Sequence, residues 1–163
     1  MLVILSGLPG TGKTTIAREL AVKLAALHLR IDTIEQALRD KGLTVVDEGY
    51  LVAYALAEDN LRLGLAVVAD SVNPLQITRQ AWRNVASRAG VKSLDVEIIC
   101  SDKAEHRRRV ESRKPDIVGL KPPTWAEVVA REYHAWDCAH LVVDTALMDV
   151  TVATEFIQAV LQN

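Results

Sequence analysis

Between an apolar run, LVIL at residues 2–5, and an amphipathic run that starts at Lys13 stands the segment GLPGTGKT, residues 7–14. It satisfies the spacing G-x-x-x-x-G-K-[ST] in full, and it limits the fold more than any other feature of the chain. The preceding run is short and rich in Val and Ile, as suits a strand buried on both faces of a parallel sheet. Beyond the glycines, Ile16, Leu20, Leu24 and Leu27 recur at intervals of three and four, while Arg18, Glu19 and Lys23 fall mainly on other faces. That spacing predicts a helix over residues 13–27. A strand that passes into a helix through glycines leaves backbone N–H groups and a helix N-terminus converging on one point, which suits an anion. Lys13 would reach the β- and γ-phosphates of a nucleotide as a point charge, and the Thr14 hydroxyl would sit where Mg²⁺ is held. The candidate phosphate-contacting set is Gly7, Leu8, Pro9, Gly10, Thr11, Gly12, Lys13, Thr14 and Thr15.

Apolar runs of strand character follow in HLRID, LAVVAD, LDVEIIC and HLVVD, separated by helical patterns at residues 48–63, 75–89, 103–113, 124–134 and 150–161. The alternation predicts an α/β fold, a parallel sheet with helices on both faces. Its ligands are expected at the carboxyl ends of the strands. Asp32 closes the second apolar run and Asp70 the third, which directs both toward the crevice that holds Lys13. Asp32 is the candidate general base or orienter for an acceptor hydroxyl, with a helix cap before Thr33 as the alternative. Asp70 is the candidate Mg²⁺-associated acid beside Thr14, with capping in the turn Asp70-Ser71-Val72-Asn73-Pro74 as its alternative. Arg109 and Arg113 share one helix face just before a segment containing Pro115, Gly119, Pro122 and Pro123 that cannot remain helical. They are expected to be lid residues over a triphosphate, against the alternative of a solvated basic face.

At 163 residues the chain suits one domain, 1–163, with a small lid at about 107–124. The formal net charge of −2 gives no general attraction to nucleic acid or anionic membrane. The first apolar run is broken by Ser6 and Gly7 and has no basic flank, so neither a signal peptide nor a membrane span is expected, and the expected location is cytoplasmic. Cys100 and Cys138 are far apart and without metal-ligand spacing, which reads as two buried, reduced thiols. Trp125, Tyr133 and Trp136 could stack on adenine but more simply pack the segment after the lid. The four histidines form no metal set, and His106, one turn before Arg109, is the one most worth testing.

Taken together, GLPGTGKT, ID at the second strand, ADSVNP at the third and HRRRVESR before a Pro/Gly loop resemble the P-loop small-molecule and polynucleotide-kinase-like family, a group of AAA-type NTP-binding proteins. Within that group the chain resembles the kinase part of 5′-hydroxyl polynucleotide kinase. The resemblance spans nearly the whole chain and implies a five-stranded parallel sheet in the order 2-3-1-4-5. It implies ATP and Mg²⁺ at Lys13 and Thr14, an acceptor hydroxyl activated by Asp32, Asp70 and Asn73 on the acceptor side, and lid residues Arg109 and Arg113. Relatives build the acceptor pocket where Glu48, Tyr50 and Tyr54 stand here. One departure matters: polynucleotide kinases place an arginine three residues after the catalytic aspartate, whereas this chain has Glu35. Glu35 would repel a phosphorylated acceptor, and neither Arg30 nor Arg39 has the matching spacing. The expected activity is therefore γ-phosphoryl transfer to a hydroxyl of a small metabolite rather than to a nucleic acid. The alternatives are a nucleic-acid 5′-hydroxyl kinase and an ATP-binding switch that transfers nothing.

Overall fold

A computed structural model describes residues 1–162; Asn163, the last residue of the expected domain, lies outside the described residues. The elements in chain order are β1 (Leu2–Ser6), α1 (Lys13–Lys23), β2 (Leu27–Arg30), α2 (Ile31–Asp40), α3 (Glu48–Arg62), β3 (Val67–Asp70), α4 (Gln76–Ala89), β4 (Ser93–Ile99), α5 (Lys103–Ser112), α6 (Trp125–Val129), β5 (Leu141–Asp144) and α7 (Val150–Gln162). The five strands form one parallel sheet in the order β2-β3-β1-β4-β5, as the resemblance implies. Every residue of the central strand β1 is buried, and its side chains alternate between two cores. Leu2 and Ile4 pack with Ala53, Ala57 and Leu61 of α3 and Trp82 and Val85 of α4. Val3 and Leu5 pack with Ile16 and Leu20 of α1 and Ala153 and Ile157 of α7. Both faces of the sheet are thus covered, which accounts for the continuous apolar character of LVIL.

Three expectations about local structure need correction. The first helix ends at Lys23 rather than Leu27, in a Schellman turn whose left-handed residue is Ala25 (φ 47°). Ala26 N–H donates to the Ala21 carbonyl at 2.8 Å and Ala25 N–H to that of Val22 at 3.2 Å, so the chain reverses and frees Leu27 for β2. Asp32 does not close a strand. The helix α2 starts at Ile31, two residues before the start at Thr33 that the capping alternative takes, with Arg30 rather than Asp32 as its N-cap, and Asp32 lies in its first turn. An acid there suits the helix dipole. The helix expected over 124–134 shrinks to α6, five residues opened by a Thr124/Glu127 capping box. Residues beyond it are recruited by Arg79 of α4, whose buried guanidinium lies 4.1 Å from the Trp136 ring and 4.8 Å from that of Tyr133. Arg79 also donates to the carbonyls of Asn73, Pro74 and Ala135. Cys100 is buried as expected, but Cys138 is exposed. No helix among the described residues is long and apolar enough to cross a membrane.

Candidate active site

The turn from β1 into α1 holds its shape through glycines and through bonds to three other parts of the chain. A Cβ on Gly7 (φ +140°) would run into the Ile98 carbonyl oxygen, so no larger residue fits beside β4. Gly12 (φ 95°) is the N-cap of α1 in a left-handed conformation. It supplies no capping side chain, and the first turn carries no acid, so the first N–H groups of α1 are left for a ligand. His106 Nε2 donates to the Pro9 carbonyl at 2.8 Å and the Thr145 hydroxyl to that of Thr11 at 2.9 Å, while Gly7 N–H donates to the Val72 carbonyl at 3.1 Å. His106 is therefore a strut of this loop. Leu8 and Thr11 serve its interior: the Leu8 carbonyl accepts from Lys13 Nζ at 2.8 Å and from the Thr11 hydroxyl at 3.0 Å.

Lys13 is buried, and burial pushes its ammonium down from the ordinary 10.5 to about 8. Asp70 and Asp32 oppose that shift, while the nearby charges of Arg113 and Arg131 add to it. A buried cation this poorly compensated is fitted to receive a polyanion. Asp70, at the end of β3, is also buried, which alone would raise its pKa. The His28 ring at 3.3 Å, the Lys13 charge and the Thr14 hydroxyl outweigh burial and keep the carboxyl below its usual range. A hydroxyl bonded to an ionised carboxylate offers two hard oxygens, as Mg²⁺ requires. Among the described residues no group of three or more His, Cys, Asp or Glu could hold a metal ion.

Three cavities surround these residues. The largest of the three, about 630 Å³, is bordered by Lys13, Thr14, Asp32, Asp70, Arg113 and Arg131, and Pro9 and residues 119–123 are also in its lining. The second, about 380 Å³, is lined by Gly10, Gly12, Lys13, Thr14 and Thr15 together with Arg18, Arg109 and Arg113. The third, about 310 Å³, continues past Gly12, Thr15 and Arg109 to Thr145, Met148 and Val150. Lys13, Thr14 and Arg113 are walls of both the first and the second.

The two arginines singled out by their spacing thus separate. Arg113 stands between the first two cavities, whereas Arg109 faces the second and third, pinned to Thr145 Oγ1 at 2.8 Å and to Glu105 at 2.8 Å. Asn73 is not brought to a cavity. It is fully buried at φ 47°, donates to Ser6 Oγ at 3.0 Å, and supports the turn behind Asp70. Glu48, Tyr50 and Tyr54 border none of the three cavities: Glu48 accepts from the Val46 and Asp47 amides, Tyr50 accepts from Asn73 N–H, and Tyr54 donates to the Thr78 carbonyl. Trp125 and Trp136 likewise line none of them, the first lying edge-on to His106 and the second stacked on His140. Sequence reasoning overlooks Arg131 and His28, which occur in no motif. It marks Arg30 only as a possible replacement phosphate ligand, yet Arg30 is buried and spans Asp32 (3.6 Å), Asp70 (4.0 Å) and Asp116 (2.8 Å). A charged residue ending an apolar strand beside Asp32 is the available signal.

Comparison with known proteins agrees with this arrangement. The model of the AAA domain family matches residues 2–121. A protein of Aeropyrum pernix named "Probable adenylyl-sulfate kinase" is 28% identical over 142 residues, 76% of each chain. Among solved structures, the Mycobacterium tuberculosis APS kinase CysC, in complex with AMPPNP and APS, superposes with a TM-score of 0.70 at 19% identity, covering 99% of this chain and 97% of that one. Chaetomium thermophilum Kti12, in complex with ADP-AlF3, does so with a TM-score of 0.70 at 21% identity, covering 98% of each chain. These two likenesses concern the fold. The family match runs through the glycine loop, Asp32, Asp70 and Arg113 and spans well over half of the chain, so this P-loop kinase-like protein belongs to the AAA domain family.

Proposed function

We propose that the protein transfers the γ-phosphoryl group of ATP, with Mg²⁺, to a hydroxyl group of a small metabolite. One observation carries the reading: Lys13, Thr14 and Arg113 border two cavities at once, with the glycine loop on one side and Asp32 and Asp70 on the other. A group seated at that shared wall is reached by a donor from one side and an acceptor from the other, as in-line transfer requires.

The loop N–H groups, the α1 N-terminus, Lys13 and Thr15 hold the polyphosphate, and Thr14 and Asp70 hold Mg²⁺. The metal, when bound, neutralises charge on the phosphate oxygens. The third cavity, with Met148 and Val150 among its walls, takes the nucleobase beside Arg109. Asp32 orients the acceptor hydroxyl and its carboxylate takes the proton as the new oxygen–phosphorus bond forms and the bond to the β-phosphate oxygen breaks. Arg113 stabilises charge on the group in transit. Residues 113–124 act as the lid, and the first part of the expected lid, 107–112, is the helix α5 that carries it. The names of the relatives support a small-molecule kinase and do not decide the acceptor.

The test is ATP turnover with and without added hydroxyl compounds. Lys13→Ala should abolish product formation, and Asp32→Asn should remove turnover while leaving nucleotide affinity nearly intact. Equal loss of nucleotide binding in the Asp32 variant would make Asp32 part of the scaffold. Nucleotide binding with no acceptor-stimulated turnover would favour a switch.

A further inference from the structure

We propose that the acceptor is a small, non-aromatic hydroxyl compound that carries its own oxyanion, and that Arg131 and Lys121 are the residues that select it. The inference rests on the phosphotransferase reading and narrows its substrate.

The first argument is a charge account of the largest cavity. Its acids are already engaged. Glu35 accepts from Arg39 at 2.8 Å, and Glu127 accepts from the Thr124 amide at 2.7 Å and hydroxyl at 2.9 Å. Asp70 has His28 at 3.3 Å, and Asp32 has Arg30 at 3.6 Å. Of its cations, Arg39 is paired with Glu35 and Lys13 donates to the Leu8 carbonyl, whereas the other three have no close carboxylate partner. Arg113 comes no closer to a carboxylate than 3.9 Å, at Asp116. The side chains of Lys121 and Arg131 have no hydrogen-bond or ion-pair partner among the described residues, although Glu127 feels both charges. Arg113 also faces the polyphosphate cavity, so its charge is accounted for by the donor. Lys121 and Arg131 border the acceptor cavity without bordering the other two. Two cations without partners on the acceptor side suit an anion brought by the acceptor, since a guanidinium or an ammonium recognises a carboxylate, phosphate or sulfate.

The second argument concerns shape. None of the residues lining this cavity is aromatic. The nearby rings are committed elsewhere, Trp125 against His106, and Tyr133 and Trp136 against Arg79. A nucleotide or nucleic-acid end gains much of its affinity by stacking its base on an aromatic face. The acceptor cavity provides no such face, which favours an aliphatic hydroxy acid or a phosphate or sulfate ester over a nucleotide.

The experiment uses the full chain loaded with Mg²⁺ and AMPPNP, so that the polyphosphate seat is filled and added anions report on the other cavity. Thermal shift and calorimetry are run with matched probes: glycerol, glycerate and glycerol 3-phosphate; sorbitol and gluconate; adenosine 3′-phosphate and a short DNA oligonucleotide. The expected result is saturable stabilisation by at least one aliphatic acid or ester and none by its neutral partner. Carboxylate against phosphate probes separate the two sources of the anion. In K121A/R131A, whose parent side chains are exposed, that response should weaken at least about tenfold while AMPPNP affinity stays within about twofold. Several results overturn the inference: neutral polyols bind as well as acids, the acids bind the double variant unchanged, the nucleotides bind more tightly than the aliphatic acids, or no acid binds the loaded protein. If a neutral polyol is phosphorylated, the kinase reading stands and only this inference falls; if AMPPNP itself fails to bind, both fall.

Discussion

The Arg30 guanidinium grips Asp116 with two hydrogen bonds, from Nη1 to Oδ2 at 2.8 Å and from Nη2 to Oδ1 at 3.1 Å. Arg30 ends β2 and is buried, whereas Asp116 belongs to the irregular residues after α5 and lines the second cavity. Arg18 donates to the same carboxylate from α1. With Asp32 and Asp70 also within 4.0 Å, one buried cation faces carboxylates from three parts of the chain. Removing any partner leaves charge poorly compensated.

Asp116→Asn should destabilise the protein by about 2 kcal/mol at neutral pH, the order expected for hydrogen bonds to a charged group. The bond from Arg30, aided by that from Arg18, holds the Asp116 carboxyl well below the usual carboxylate range. Its contribution is therefore complete above the unfolded value of about 4 and disappears as pH falls from there toward the folded value. Urea denaturation of both proteins at several pH values checks this: the gap between them should be constant near neutrality and close only in acid.

Lys13 makes nucleotide binding take up a proton. Free Lys13 has its pKa pushed down to about 8, chiefly by burial, and a bound polyphosphate restores the charged form. At about pH 8.5, calorimetry in buffers of different ionisation enthalpy should therefore report uptake of most of one proton per ADP, and none for Lys13→Met. The unliganded fold behaves in the opposite sense. The cost of burying this charge is present below the folded pKa and is relieved as pH rises from about 8 toward the unfolded value of 10.5.

Gly7→Ala should cost about 3 kcal/mol, because the new methyl meets a backbone carbonyl that cannot move aside and the conformation disfavours any side chain. The Ile98 carbonyl oxygen occupies the space the methyl would need. A fall in melting temperature together with loss of ADP binding is the expected result. A Gly42→Ala control, with nothing within 4 Å of the added Cβ, should cost less and leave binding intact.

Arg79→Ala strips hydrogen bonds from three carbonyls and the cation from between two rings, and should destabilise by about 3 kcal/mol or more. The residues it anchors follow directly on Arg131. Where the variant remains folded, the KM for the acceptor should therefore rise more than the KM for ATP, as steady-state kinetics would record.

The donor half of the site is legible in the sequence because it is built from backbone, and backbone geometry is encoded locally by glycines and by a strand followed by a helix. The parallel direction of the strands follows from the alternation of strand and helix patterns, and their order from the family likeness alone. The acceptor half is far less legible. Arg131, Lys121 and Gln36 come to one cavity from separate segments, and no spacing rule joins them. Arg79 illustrates the same limit in the core, since the pattern over 124–134 reads as helical until a distant cation captures Tyr133 and Trp136. Asp32 reads as the end of the second strand but belongs to the first turn of α2, because β2 passes into α2 with no residue between them.

The shared wall formed by Lys13, Thr14 and Arg113 also bears on inhibitor design. A single molecule that tethers an adenosine polyphosphate to an anionic polyol would engage both compartments with one loss of translational freedom, and its affinity should exceed that of either fragment by the effective concentration of the tether.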